Sequence, residues 1–148
     1  MSLTLRLDQD IKEALKAGEK QKLTVLRGLK SALKYKQIEI GEELTDEQFQ
    51  AVMGSQAKKV RDSLEQFEKG GRDDLVAEAR FELGVIEAYL PQQLSEDELR
   101  QIVAKAIEEN EIDSPKKIGL LMKAVMPLIK GRADGKQVNK LAMEILAN

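Results

Sequence analysis

Apolar residues in this chain recur three and four positions apart, and wherever that rhythm breaks a glycine, a proline or a capping residue stands at the break. A period near 3.6 cannot be laid on a pleated strand, whose side chains alternate every second residue, so the pattern confines the chain to an all-α fold. Leu3, Leu7, Ile11 and Leu15 mark a first helix ending near Gly18, and Leu23, Leu26, Leu29 and Leu33 a second, running to Ile40 before Gly41. Thr45 followed by Gln48 reads as a capping box opening a third helix, with Phe49, Val52, Met53, Gln56, Val60, Leu64 and Phe67 on its buried face. Gly70-Gly71 ends it, and Leu75, Ala79, Leu83, Ile86 and Leu90 supply the stripe of a fourth helix that begins with two acids, Asp73 and Asp74.

Pro91 stops that helix, and the polar joint Gln92-Gln93-Leu94 sets the expected domain boundary, with residues 1–90 before it and 91–148 after. Ser95-Glu96-Asp97-Glu98 reads as a second capping box, starting a helix through Leu99, Ile102, Val103, Ala106 and Ile107. Ser114-Pro115, a cap with proline at the first helical position, starts the next segment through Ile118, Leu121, Met122 and Val125, in which Pro127 removes a backbone hydrogen bond. Asp134 with Gln137 opens a last helix through Val138, Leu141, Ala142, Ile145 and Leu146.

Charge decides where a polyanion can sit. With 24 basic and 26 acidic residues the chain carries a formal net charge of -2, so any contact with nucleic acid has to come from a local patch. Two such patches stand out. Between Lys12 and Lys36 eight bases face two acids, and Arg27, Lys30 and Lys34 fall on one helical stripe; Lys58, Lys59 and Arg61 add cations on the third helix, beside Asp62 and Glu65. From Pro115 to Asn148 seven bases face two acids, whereas from Pro91 to Ser114 seven acids face two bases, so the C-terminal module is polarised along its own sequence. Within it, Lys130-Gly131-Arg132-Ala133-Asp134-Gly135-Lys136 combines two glycines four apart with three cations. It reads either as an anion clamp or as an ordinary helix-helix turn capped by Gly131 and Asp134.

The chain contains neither histidine nor cysteine, which removes the commonest neutral-pH base, the usual soft metal ligands and thiol nucleophiles. No glycine-rich loop ends in Lys-Ser or Lys-Thr, and Ser31, Ser55, Ser63, Ser95 and Ser114 have no adjacent base in a nucleophile arrangement. Asp73/Asp74 and Glu108/Glu109 offer only weak magnesium chelation. The expectation is therefore no catalytic residue, no metal and no cofactor. Aromatic content of 3% leaves no platform on which bases could stack, so an RNA would be held by backbone and shape. The lack of cysteine, of a membrane-spanning apolar run and of signal-peptide architecture predicts a soluble cytoplasmic protein with no membrane partner.

Taken in order, Leu26-Arg27-Gly28-Leu29-Lys30-Ser31-Ala32-Leu33-Lys34, Gln56-Ala57-Lys58-Lys59-Val60-Arg61-Asp62-Ser63, Gly70-Gly71-Arg72-Asp73-Asp74-Leu75, Tyr89-Leu90-Pro91 and Gly119-Leu120-Leu121-Met122 precede Lys130 through Asn139. That succession resembles the GatB/YqeY family, small proteins similar to the tail of the B subunit of the tRNA-dependent amidotransferase. Ser55 and Val60 depart from the pattern, standing where a lysine and an arginine are expected. The resemblance implies a four-helix bundle-like N-terminal domain and a smaller C-terminal three-helix, tail-like domain. It also implies an amidotransferase-related role on glutamyl- or aspartyl-tRNA, with glutamine as amide donor and the amide chemistry housed elsewhere. By that analogy tRNA binding falls to Lys130, Gly131, Arg132, Asp134, Gly135 and Lys136, with Lys116 and Lys117 nearby, and Arg27, Lys30, Lys34, Lys58, Lys59 and Arg61 form a secondary basic surface. The alternative is a protein-interaction module docking on an amidotransferase or aminoacyl-tRNA synthetase component.

Overall fold

The computed structural model describes residues 2–147, and among them helices joined by short turns and loops account for the chain, with no strand. Among these residues seven α-helices follow one another: α1 (Leu3–Ala17), α2 (Lys20–Ile40), α3 (Asp46–Lys69), α4 (Asp73–Glu87), α5 (Glu96–Glu109), α6 (Ile118–Ile129) and α7 (Gly135–Ala147); a short 3₁₀ turn over Pro115–Lys117 leads into α6. They group into two compact units, Met1–Pro91 and Gln92–Asn148.

In the first unit α1 lies along α2 and α3 along α4, and α2 packs on both members of the second pair. Thr45 and Gln48 close the capping box that starts α3: the Thr45 hydroxyl accepts from the Gln48 N–H at 3.1 Å, and the Gln48 amide oxygen accepts from the Thr45 N–H at 2.9 Å. Asp46, in the first turn of the same helix, also accepts from the Leu3 N–H at 3.1 Å, joining the starts of α1 and α3. The core is aliphatic around two buried rings, Phe49 and Tyr89, with Leu7, Leu26, Phe49, Met53 and Ile86 all sealed from solvent. Each such side chain contributes about 1.5–3 kcal/mol through burial.

Three local expectations change. Leu15 is 58% exposed and Ala14 takes its place in the core. A strict four-residue repeat drifts about 40° per step, so by Leu15 the stripe has turned about 120° away from Leu3, while Ala14 falls about 20° from it. On α3, Gln56 is only half-buried and Ala57 faces inward. And α4 ends at Glu87, before Leu90, because the residue preceding Pro91 is held out of the helical region. The chain tightens there into two three-residue turns, Tyr89 N–H to Ile86 C=O at 3.0 Å and Leu90 N–H to Glu87 C=O at 3.1 Å, which drives Tyr89 into the core at 3% exposure.

The second unit packs α5 against both α6 and α7 around Leu99, Val103, Leu121, Val125, Ile129, Val138 and Ala142. Ser95 caps α5 by accepting from the Glu98 N–H at 3.1 Å, and Glu96, Asp97 and Glu98 complement the positive end of the helix. Arg100 on α5 reaches Glu144 on α7 at 3.3 Å. Pro127 sits inside α6 without ending it, since the helix continues to Ile129. Gly119 is exposed, with nothing close to its α-carbon face.

Candidate functional site

The corner between α6 and α7 is built from backbone first. Ile129 anchors the end of α6 in the core, and its carbonyl accepts from the N–H of Arg132 at 2.7 Å and of Ala133 at 3.2 Å. Between them Lys130 is extended (φ -50, ψ 120) and Gly131 takes φ 76, a left-handed conformation that glycine adopts without steric cost. Asp134 then starts α7. Its carboxylate accepts from the Lys136 N–H at 3.2 Å, and its own N–H donates to the Gln137 amide oxygen at 3.3 Å. Asp134 therefore serves as the helix cap that its sequence position suggests, and its negative charge lies at the positive end of α7.

The two glycines divide in role. Gly131 turns the chain; Gly135 is the first residue of α7, does not adopt a positive φ, and has ordinary contact distances of 3.8–4.0 Å from a hypothetical Cβ to Met122 and Met126. Only one of the pair is demanded by the turn.

Arg132 is half-buried and structural as well as cationic. Its Nε donates to the Gln92 carbonyl at 3.2 Å, its own carbonyl accepts from the Leu94 N–H at 2.8 Å, and the Gln93 side-chain amide donates to the Gly131 carbonyl at 2.9 Å. The polar joint expected from the sequence is thus a strap laid across the corner. No sequence signal marks Gln92 or Gln93 for this task, because the pairing spans about forty residues and depends on the packing of α5. Lys130 and Lys136 are exposed at the rim. Lys140, one turn beyond Lys136 and also exposed, extends the cationic edge along α7; its four-residue spacing from Lys136 is the signal that marks it.

Lys116 and Lys117 do not join the corner. They lie in the 3₁₀ turn at the opposite end of α6, whose 12 residues span about 18 Å. Lys117 is paired with Asp113 at 3.0 Å, and that ammonium holds the Asp113 carboxyl below its ordinary value. The secondary surface is also divided. Lys30 pairs with Asp8 at 2.6 Å and Arg61 with Glu87 at 3.4 Å, whereas Arg27, Lys34, Lys58 and Lys59 are exposed on two different helices.

Acid pairs are similarly drawn into structure. Arg72 forks onto Asp74, with Nε at 3.3 Å and Nη2 at 3.1 Å, and this lowers the Asp74 pKa. Among the described residues no group of three or more His, Cys, Asp or Glu side chains is placed to hold a metal ion, and no helix is long and apolar enough to cross a membrane.

The sequence is similar to several known proteins. The chain is 28% identical over 144 residues to Altered inheritance of mitochondria protein 41, mitochondrial, of Pyrenophora tritici-repentis, covering 95% of this chain and 79% of that one. The protein of the same name from Lachancea thermotolerans is 31% identical over 112 residues (74% and 60%), and that of Saccharomyces cerevisiae strain YJM789 is 34% identical over 105 residues (69% and 57%). This chain therefore spans under two thirds of the length of the latter two relatives. The family model for Yqey-like protein matches residues 4–146, nearly the whole sequence and both helical units, and the chain belongs to the Yqey-like family.

Proposed function

We propose that the chain is an amidotransferase-related accessory protein that binds tRNA through the α6–α7 corner and performs no amide transfer of its own. The observation that carries this reading is the corner itself: a left-handed Gly131 brings Lys130, Arg132 and Lys136 onto one bend, with Asp134 capping α7 beside them. Such a bend grips phosphate by charge and shape without reading bases, which suits a chain with so few aromatic side chains. Family membership and the excess of seven bases over two acids from Pro115 onward support it. The proposed setting is cytoplasmic, and the fungal relatives are named as mitochondrial.

The test is tRNA binding by fluorescence anisotropy between about 50 and 200 mM salt, comparing wild type with Lys130→Gln and Lys136→Gln. Removing one lysine–phosphate interaction reduces the salt slope by about one. Arg132 is a poor probe, since its substitution also releases the Gln92 carbonyl. Absence of salt-sensitive binding by the wild-type chain, or slopes unchanged in both variants, overturns the proposal. Formation of Gln-tRNA from Glu-tRNA by the isolated chain would overturn the assignment of chemistry to another subunit.

A second reading has its own observation. Leu120 and Leu128 on α6 are 61% and 58% exposed, an apolar face suited to docking on a protein such as an amidotransferase or synthetase component. Co-purification of such a component that survives nuclease treatment, and is lost in Leu120→Ser/Leu128→Ser, favours that reading.

A further inference from the structure

A cavity of about 540 Å³ opens in the first unit between α1, α2 and α4, within the size range of small-molecule sites. Its base is apolar and firmly packed: Leu26 is fully buried and Tyr89 is 3% exposed. Phe81 and Val85 stand on one wall, and Gly84 between them leaves that wall open, since a Cβ there would meet nothing within 4 Å.

The charges around this space are unevenly committed. Asp10, its acidic member, accepts from the Tyr89 hydroxyl and lies 3.9 Å from Arg6 Nε. Arg6 is itself fixed, donating from Nη2 to the Ala88 carbonyl at 3.1 Å with its guanidinium carbon 4.9 Å from the Tyr89 ring centre. Those three side chains neutralise and immobilise one another. Arg80 gives one nitrogen to Glu68 at 3.1 Å. Lys22 is different: half-buried at the cavity, its side chain has no ion-pair or hydrogen-bond partner among the described residues. Its stem packs at the cavity edge while the ammonium is left without a counter-charge from the fold, so an anion entering the cavity would supply one.

We propose that this cavity binds a small organic anion, a carboxylate or phosphate monoester on a flat apolar body, with Lys22 and Arg80 taking the acidic group and Phe81 and Val85 the body. The site lies in a different unit from the α6–α7 corner and stands independently of tRNA binding.

Amide NMR titration of the full chain tests it, with phenyl phosphate and phenylacetate as anionic probes and benzyl alcohol as the neutral control. Expected are saturable shifts clustered at Lys22, Gly84, Val85 and Tyr89 with the anions, and binding of the alcohol at least about tenfold weaker. Lys22→Gln weakens the anions about tenfold, the loss of one charged hydrogen bond. Gly84→Leu fills the space and abolishes binding while the thermal midpoint is maintained. Shifts that do not saturate, alcohol binding as well as the anions, or anion affinity unaltered by Lys22→Gln would each overturn the assignment. If Gly84→Leu lowers the midpoint, the Lys22→Gln comparison still decides the matter, as that side chain has no hydrogen-bond or ion-pair partner among the described residues.

Discussion

The side-chain amide of Gln93 donates a 2.9 Å hydrogen bond to the carbonyl of Gly131, thirty-eight residues along the chain, and so fastens the segment before α5 to the bend between α6 and α7. Two further bonds run in parallel, Arg132 Nε to the Gln92 carbonyl and the Leu94 N–H to the Arg132 carbonyl. The cationic corner is held in shape from outside its own sequence.

Gln93→Ala is therefore expected to lower the stability of the second unit by about 1 kcal/mol, the value of a typical net hydrogen bond. Amide hydrogen exchange should accelerate at Arg132 and Ala133 before it does in α5. Denaturant unfolding followed by exchange checks both; protection unchanged at the corner would show that the strap is not holding it.

The two glycines of the corner should respond in opposite directions. Gly131→Ala places a Cβ on a backbone with φ 76 and is expected to cost about 1–2 kcal/mol. Gly135→Ala meets only ordinary contacts at the start of α7 and restricts the unfolded chain, so stability should be maintained or rise by up to about 1 kcal/mol. Paired thermal melts of the two variants are sufficient.

Tyr89 gives the first unit a contribution to stability that is sensitive to alkaline pH. Its burial, and then its hydrogen bond to Asp10, push the phenol above its ordinary value of 10.0. A folded-state pKa raised above the unfolded one gives stability that is fully present below about pH 10 and is lost as pH climbs toward the folded-state value. Tyr89→Phe should cost about 1–3 kcal/mol at neutral pH by leaving Asp10 without its hydroxyl donor, and the gap from wild type should narrow above about pH 10. Urea unfolding at pH 7, 9 and 11 measures the difference; a gap constant over that range would contradict the role assigned to the hydroxyl.

Asp113 and Asp74 report the opposite sign. The hydrogen bond from Lys117 lowers the first and that from Arg72 the second, both from an ordinary 3.8. A depressed carboxyl contributes stability above its unfolded pKa and loses it as pH falls through the folded value. Side-chain carboxyl NMR titration should show both midpoints below 3.8, with Lys117→Gln returning Asp113, and Arg72→Gln returning Asp74, toward it. Because both groups are exposed, the accompanying change in stability is expected to be small.

The Thr45/Gln48 box, the glycine and proline breaks, and Asp134 as the cap of α7 follow from chemistry confined to four or five neighbouring positions, so each is legible in the sequence. Leu15 is misplaced by the same kind of reading, because a four-residue repeat looks continuous along the chain while rotating off the core in three dimensions. Lys116 and Lys117 belong with the corner by charge along the chain, yet a helix intervenes and sets them at its other end. Lys22 is one of eight bases between Lys12 and Lys36, and nothing in that run singles it out from the others.

By itself the sequence determined that this chain is helical, where most helices begin and end, and most of the residues that line their inner faces, because helix periodicity and capping are local energies. Only the tertiary structure decided that Arg132 is partly spent on the Gln92 carbonyl, that Tyr89 meets Asp10 seventy-nine residues away, and that Lys22 faces a cavity without a partner among the described residues. Those outcomes depend on which helices pack together and how much water is excluded between them, and no short window of residues encodes that.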